Sequence, residues 1–198
     1  MVEAVETGAT IRRMDEVGIR DATEADLPAV AEIYGHESLH GYSTFETEER
    51  PVSSWSHKLA SGYPFLVAEA EGAVVGFAYA SQFRDRPAYH RTVETSVYLQ
   101  RGARGRGVGT SLYAALLDLL AADFHTALAL IALPNDVSVR LHERAGFALV
   151  GTMREVGDKQ DRLIDVGVYQ RLLGTQLSSS RSSRRPTTAS PRRASSTR

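Results

Sequence analysis

The stretch from Thr92 to Leu120, TVETSVYLQRGARGRGVGTSLYAALLDLL, constrains the fold of this chain more than any other. Residues 92–99 are rich in β-branched and aromatic side chains around one acid, Glu94, and predict a strand. A glycine- and arginine-rich turn follows at 104–109, and apolar residues then recur at helical spacing from Val108 onward. The stretch therefore predicts a strand, a tight turn and an amphipathic helix.

The turn has the properties of a phosphate site. Glycine lets backbone N–H groups come close to a ligand, and the following helix adds the partial positive charge of its N-terminus. The Gly-Lys-Ser/Thr of a P-loop is missing, and so is an early G-x-G-x-x-G in a parallel unit. The pattern predicts a phosphate-bearing cofactor beside a proton-accepting carboxylate, and at this point several cofactors fit it.

Composition removes several classes of function. The 198 residues contain no cysteine, which excludes disulfides, a thiolate nucleophile and cysteine-based metal sites. His36 and His40 have i,i+4 spacing but no apparent third ligand, so no metal is predicted. A net charge of −1 gives no global field for nucleic acid, and no apolar run approaches the roughly 20 residues that span a bilayer. The acidic N-terminus lacks the apolar segment of a signal peptide, so we expect a cytoplasmic protein.

Three segments are predicted along the chain. Residues 1–16 are expected to be a disordered extension, and 17–173 to form a single domain. Residues 174–198 contain six arginines, no acid and many serines, so they cannot bury enough apolar surface to fold. We expect this tail to be dispensable; the alternative is an anchor for nucleic acid or an anionic surface.

Within the domain, helical and strand patterns alternate in the middle and hairpins are predicted towards both ends. This order favours a mixed α/β sheet over a doubly wound parallel one. The run 126–133 (TALALIAL) is continuously apolar, as expected of a strand that is buried on both faces. The predicted strands are 17–21, 65–70, 74–81, 92–99, 126–133, 147–153 and 165–172, and the predicted helices begin near Thr23, Pro51, Val108 and Asn135.

Several motifs together resemble the GNAT N-acetyltransferase superfamily. Arg104-x-x-Gly107-x-Gly109 resembles its acetyl-CoA loop, and LPNDVSVRLHERAGF at 133–147 resembles a later motif that lines the cofactor thiol. AYHRTVETSVYL at 88–99 and IDVGVYQRLL at 164–173 resemble the phosphinothricin N-acetyltransferases. The resemblance extends over 19–173. It implies the GNAT fold, a mixed central sheet flanked by helices, and acetyl transfer from acetyl-CoA to an amine.

The resemblance implies a cofactor side of the site. The backbone of Val97, Tyr98 and Leu99 is expected to pair with the pantetheine arm, and Asn135 and Ser138 are expected near the thiol. The turn is expected to hold the pyrophosphate, with the arginines adding positive charge. Its assigned residues are Arg104, Gly105, Arg106, Gly107, Val108, Gly109 and Thr110.

The catalytic residues are predicted from chemistry and resemblance together. An α-amino group, whose reference pKa is about 7.7–8.0, must lose a proton before it attacks a thioester. Glu94 is a suitable general base because burial raises the pKa of a carboxyl, and the resemblance implies the same role. The resemblance also assigns His142 and Tyr98 to the catalytic site. Since a cysteinyl intermediate is impossible, direct attack in a ternary complex is expected.

The resemblance places the acceptor against Phe45, Arg86 and Tyr89, with Ala132 beside it. Arg86 is suited to clamp a carboxylate or phosphinate with two hydrogen bonds. The chain departs from the family on this side. Ala132 stands where glycine is frequent, Arg91 where an aromatic residue is frequent, and Leu163-Ile164 where Trp-His is frequent.

These observations predict an acetyl-CoA-dependent enzyme that acetylates a small acidic amino-acid analogue, such as phosphinothricin or methionine sulfoximine. The resemblance further implies a homodimer and a role in antibiotic or herbicide resistance. One alternative is a GNAT enzyme for another small amine, such as a polyamine or an aminoglycoside, or for a protein N-terminus. A further alternative is a non-catalytic acyl-CoA sensor.

Overall fold

The computed structural model describes residues 17–174, so the predicted extension at 1–16 and the tail beyond Gly174 lie outside the described residues. The strands are β1 Val17–Asp21, β2 Phe65–Ala70, β3 Ala73–Gln82, β4 Thr92–Leu99, β5 Thr126–Leu133, β6 Ala148–Lys159 and β7 Arg162–Leu172. The helices are α1 Leu27–His40, α2 Val52–Leu59, α3 Val108–Asp123 and α4 Asp136–Arg144. Short 3₁₀ turns lie at Glu24–Asp26, Pro87–Tyr89 and Arg101–Ala103.

The seven strands form one sheet in the order β1-β2-β3-β4-β5-β7-β6. β4 and β5 run parallel, whereas each other neighbouring pair is antiparallel. β4 is the fourth strand of the seven, so Glu94 belongs to a central strand and not to an edge strand. The mixed sheet flanked by helices confirms the predicted fold class.

Helices cover both faces of the sheet and enclose two hydrophobic clusters. On one face α3 buries Leu112, Tyr113, Leu116 and Leu120 against the inner strands. On the other face α1 and α2 pack on β2 and β3 around the fully buried Trp55. Burial of these apolar surfaces is the main stabilising term of the fold.

The last two strands are longer than the sequence pattern predicts. The predicted strands end at 153 and begin at 165, but the structure continues both to a tight turn at Gln160 and Asp161, which have positive φ angles. Most side chains of β6 are exposed, so the strand shows no apolar alternation. Its pairing with β7 holds it in place across a bulge between Met153 and Gly157.

The prediction that β5 is buried on both faces is correct only for its first half. Residues 127–129 are buried, but Leu130 is 41% exposed. The reason is the path of β4, which separates from β5 at this level and leaves that part of the strand uncovered.

Candidate active site in the gap between β4 and β5

A gap opens within the central sheet. The register of β4 with β5 is limited to residues 92–94, which lie opposite 126–128. Beyond this point β4 pairs only with β3, and β5 pairs only with β7. The backbone of 95–99 therefore turns its β5-facing edge to an opening of about 250 Å³. An extended, amide-bearing ligand can complete such an edge as an additional strand does.

The predicted cofactor residues largely meet at this cavity. Its walls come from β4, β5, the turn after β4 and the start of α4. The predicted site residues that line it are Val97, Tyr98, Leu99, Arg104, Gly105, Ala132, Asn135, Ser138 and His142.

Thr95 closes the inner end of the gap. Its hydroxyl donates to the carbonyl of Leu128 at 3.0 Å and accepts from the Tyr113 hydroxyl at 2.8 Å. These bonds tie β4 to β5 and to α3 where the backbone pairing stops. The strands are therefore held together on one side of Thr95 and apart on the other.

The turn after β4 has the backbone that the glycines predict. Gly105 and Gly107 have φ angles of +77° and +82°, a region that other residues adopt at a cost. Gly107 is the residue before α3, and the first N–H groups of that helix have no acceptor within it. Arg106, Gly107 and Thr110 are exposed, whereas Val108 and Gly109 are buried against the core. The turn thus presents backbone donors beside the outer end of the gap.

Arg104 has an unexpected partner. Its Nη2 donates to Oε1 of Glu37 at 2.5 Å, and Glu37 is a buried residue of α1 that lines the cavity. The charge of Arg104 is therefore already balanced, so Arg106 supplies the uncompensated positive charge of the turn. Sequence reasoning missed Glu37, although an acid four residues after Ile33 on an apolar helix face was a usable signal.

Asn135 and His142 shape the wall formed by α4. Asn135 is the N-cap of the helix, and its Oδ1 accepts from the backbone N–H of Ser138 at 3.1 Å. His142 is 4% exposed and lies between the rings of Tyr113 and Phe147, with centroids at 4.8 and 5.4 Å. Its Nδ1 lies 2.8 Å from the Ser138 carbonyl, which assigns the proton to Nδ1 and leaves Nε2 as an acceptor. Burial lowers the pKa of His142, which favours the neutral ring.

Glu94 and His142 lie on different faces of the sheet. Side chains alternate along β4, so Val93, Thr95 and Val97 contact the α3 side and Glu94 projects to the α1–α2 side. His142 contacts Tyr113 of α3. His142 therefore lines the cavity, whereas Glu94 lies at the end of the paired part of β4 and does not line it, and no hydrogen bond joins the two within residues 17–174.

Glu94 has the environment of a general base. It is half-buried and is the last β4 residue in register with β5, so it lies where the two strands separate. Burial raises the pKa of its carboxyl, while the charges of Arg84 and Lys58 oppose that rise. A carboxylate with a raised pKa binds a proton more readily, which is what deprotonation of an amine requires.

Tyr98 stands on the same face as Glu94. Its ring stacks on Phe77 at 5.2 Å and meets Tyr34 edge-on at 5.0 Å. Its hydroxyl points to the Ser43 carbonyl at 3.4 Å. Burial raises the pKa of this phenol well above its usual value, so Tyr98 keeps its proton and acts as a donor.

Of the four predicted acceptor residues, Ala132 lines the cavity and the other three do not. Phe45 is 40% exposed, and its ring covers Gly157 so closely that a Cβ there would overlap it. Arg86 and Tyr89 are exposed on the connection from β3 to β4, at the Glu94 end of β4. Tyr89 meets Phe83 edge-on at 5.4 Å.

Lys159 holds the loop that carries Phe45, a role that the sequence pattern does not predict. The residue is 3% exposed, and its Nζ donates to the carbonyls of Glu37 at 3.2 Å and Thr44 at 2.9 Å. The β6–β7 hairpin thereby holds the end of α1 and the following loop. No local pattern reveals a contact between residues more than one hundred positions apart.

The described residues contain neither a metal-binding cluster nor a membrane-spanning helix. Within 17–174 no group of three or more His, Cys, Asp or Glu side chains is placed to hold a metal ion. In the same part of the chain no helix is long and apolar enough to cross a membrane.

Comparison with known proteins identifies the family. A model of the acetyltransferase (GNAT) domain matches residues 19–168. The chain is 46% identical over 166 residues to phosphinothricin N-acetyltransferase of Streptomyces coelicolor, covering 80% of this chain and 97% of that protein. It is 38% identical over 160 residues to L-methionine sulfoximine/L-methionine sulfone acetyltransferase of Pseudomonas aeruginosa, covering 77% and 92%.

A solved structure gives the same result. The phosphinothricin acetyltransferase of Sinorhizobium meliloti, determined in complex with AcCoA, superposes with a TM-score of 0.77 at 39% identity. The superposition covers 80% of this chain and 89% of that one. The fold and the gap thus define a class, the GNAT acetyltransferases. Within this class the chain belongs to the phosphinothricin N-acetyltransferase family.

Proposed function

We propose that this N-acetyltransferase moves the acetyl group of acetyl-CoA to the α-amino group of a small acidic amino-acid analogue, such as phosphinothricin or methionine sulfoximine. Acetyl-CoA is its cosubstrate, as in the related structure that contains AcCoA. The observation that carries the proposal is the position of Glu94, a half-buried carboxylate at the point where β4 and β5 separate. The names of the relatives in Streptomyces and Pseudomonas supply the class of acceptor.

The proposed reaction is a direct transfer. The amine nitrogen bonds to the thioester carbonyl carbon, the carbon–sulfur bond breaks, and CoA leaves as the thiol or thiolate. Glu94 accepts the proton of the amine, directly or through a water molecule. Tyr98 supplies a hydrogen-bond donor on the same face, and neutral His142 supplies an acceptor at Nε2 on the other. Binding both substrates in one gap lowers the entropic cost of their meeting.

We expect acetyl-CoA to bind along the part of β4 that does not pair with β5 and along the turn after β4. We assign the pantetheine arm to the open edge of Val97–Leu99, and Asn135 and Ser138 to the region of the thiol. The pyrophosphate is assigned to the N–H groups of 104–110, with Arg106 as the cation that has no ion pair within 17–174. Phe45, Arg86 and Tyr89 remain the proposed acceptor residues.

A thiol-release assay over a panel of acceptors tests this function. The panel contains phosphinothricin, methionine sulfoximine, methionine sulfone, ordinary amino acids, a polyamine, an aminoglycoside and a peptide. We expect the highest kcat/KM for the first three compounds. Turnover of the polyamine, aminoglycoside or peptide alone would assign a different acceptor, and binding of acetyl-CoA without any turnover would indicate a sensor.

We also propose that the protein is a homodimer. Exposed apolar side chains cluster on the last two strands, and patches of this kind mark contact surfaces. They are Leu149, Val150, Met153, Val156, Leu163 and Leu172. The cytoplasmic location, the absence of a nucleic-acid partner and the role in resistance stay predictions.

A further inference from the structure

Lys58 occupies the face of the sheet on which Glu94 lies. It belongs to α2, and its Nζ is 4.1 Å from the centroid of the Tyr79 ring. Tyr79 is opposite Ser96 in the register of β3 and β4, and Ser81 is opposite Glu94. Residues directly opposite in an antiparallel pair share a face. Lys58 therefore covers the strand pair next to the carboxylate.

Lys58 makes no close ion pair within residues 17–174, and Glu94 is the anionic side chain whose charge acts on it. The ion pairs in that part of the chain involve Arg20, Arg50, Arg104 and Arg140. The other lysine, Lys159, donates to two backbone carbonyls, whereas the ammonium of Lys58 has a ring face as its contact. Burial lowers the pKa of the half-buried Lys58, the charge of Arg50 lowers it further, and the charge of Glu94 opposes both.

A bound amino acid would supply an anion that can pair directly with Lys58. In an α-amino acid one carbon atom separates the amine from the carboxylate, so an amine at Glu94 brings an anion to the same small region. Lys58 and Glu94 then face the two charges of the acceptor with opposite charges. Because Lys58 is already partly desolvated in the free protein, less of the ion-pair energy is spent on removing water from the lysine.

We propose that Lys58 binds the α-carboxylate of the acceptor, an inference that rests on the proposed function. Arg86, on the exposed connection before β4, is then available for the phosphinate, sulfoximine or sulfone oxygens of the acceptor side chain. Three residues would then contact three groups of the substrate: Glu94 the amine, Lys58 the carboxylate and Arg86 the oxygen-bearing group of the side chain.

The test compares Lys58→Met with Lys58→Arg. Methionine retains the apolar stem against Tyr79 and removes the charge, while arginine retains the charge. Each variant is assayed with methionine sulfone and with 3-(methylsulfonyl)propan-1-amine, which lacks the α-carboxylate. Arg144→Gln, which removes an exposed positive charge from α4, serves as the matched control. Circular dichroism melting verifies that each variant is folded.

We expect Lys58→Met to raise the KM for methionine sulfone about 10- to 100-fold, the size of a lost charged hydrogen bond. The efficiency with the carboxylate-free amine should stay at the wild-type value, and Lys58→Arg should largely restore the KM for methionine sulfone. An unchanged KM in Lys58→Met, or equal losses with both acceptors, would overturn the inference and leave the proposed function standing. A wild type that acetylates no amino acid would overturn both the inference and the proposed function. If Lys58→Met misfolds, Lys58→Arg decides through the ratio of its kcat/KM values for the two acceptors. A ratio equal to that of the wild type supports a charge contact, and a much lower preference for methionine sulfone opposes it.

Discussion

Burial shifts the pKa values of two ionisable residues, Glu94 and His142, and so sets their protonation states. Glu94 and His142 are both withdrawn from water, and in each case the charged form is disfavoured. For the carboxyl of Glu94 the result is a stronger base. For His142 the result is a neutral ring with a defined tautomer. The sequence could indicate both residues, but only the structure shows that they lie on opposite faces of β4.

Glu94→Gln should reduce kcat/KM by about 10²–10⁴-fold near neutral pH, the usual contribution of a general base. The loss should shrink as the pH rises, because more of the acceptor amine is then already deprotonated. In the wild type the activity should fall towards acidic pH as the carboxylate becomes protonated. The measurement is a pH profile of kcat/KM for both proteins, with Glu32→Gln on the exposed side of α1 as control. A loss that is independent of pH would move the base to another residue.

His142→Gln should change how stability depends on pH. The pKa of His142 is lowered in the folded protein, so the unfolded chain takes up the proton first. The stability that the wild type derives from a neutral His142 is therefore complete above pH about 6.5 and is lost as the pH falls below that value. The loss amounts to at most about 1.4 kcal/mol per pH unit. Urea unfolding at pH 8, 6.5 and 5 should show a flatter decline for the variant, and parallel curves would contradict this.

At the scale of elements, glycine determines how closely the strands, the turn and the loops approach. The turn after β4 depends on two residues with positive φ angles, and the sequence located it because Gly105 and Gly107 are local signals. The second close approach, Phe45 on Gly157, joins a loop after α1 to the bulge of β6. The sequence pattern predicts neither this contact nor the full length of β6, and the reason is the same in both cases. Both depend on pairing with distant segments rather than on local periodicity.

Gly157→Ala should weaken acceptor binding. The added methyl group would overlap the ring of Phe45, which must then move from its place beside the site. We expect the KM for the acceptor to rise about tenfold, a cost of about 1.4 kcal/mol that is typical of overpacking. The KM for acetyl-CoA should not change. Gly151→Ala in the same strand is the control, since a Cβ at Gly151 meets nothing within 4 Å. Equal effects of the two variants would remove Phe45 from the acceptor site.

For the whole molecule, the exposed apolar surface on β6 and β7 predicts self-association. Static light scattering should give twice the chain mass of 21.6 kDa. Val150→Glu places a charge on a side chain that is 62% exposed within this surface and should shift the mass towards the monomer. Leu119→Glu, on the exposed side of α3, should leave the mass unchanged. A monomeric wild type would contradict the proposal.

The sequence was most informative about the whole molecule and least informative about the acceptor. Fold class and cofactor follow from contiguous motifs, because the strand, the turn and the helix to which we assign acetyl-CoA are adjacent in the chain. The proposed acceptor site combines residues from α2, the loop at 41–50, the connection before β4 and the β6–β7 hairpin. Glu37, Lys58 and Lys159 come from such separate segments, and their roles become visible only when the sheet brings them together.

Two-substrate kinetics provide the most direct test of transfer within a single gap. Initial rates are measured over a range of acetyl-CoA concentrations at several fixed concentrations of methionine sulfone or phosphinothricin. Because the chain has no cysteine and both substrates must meet at Glu94, the double-reciprocal lines should intersect. Parallel lines would show an acetylated enzyme intermediate, and the absence of N-acetylated product would contradict the proposed activity itself.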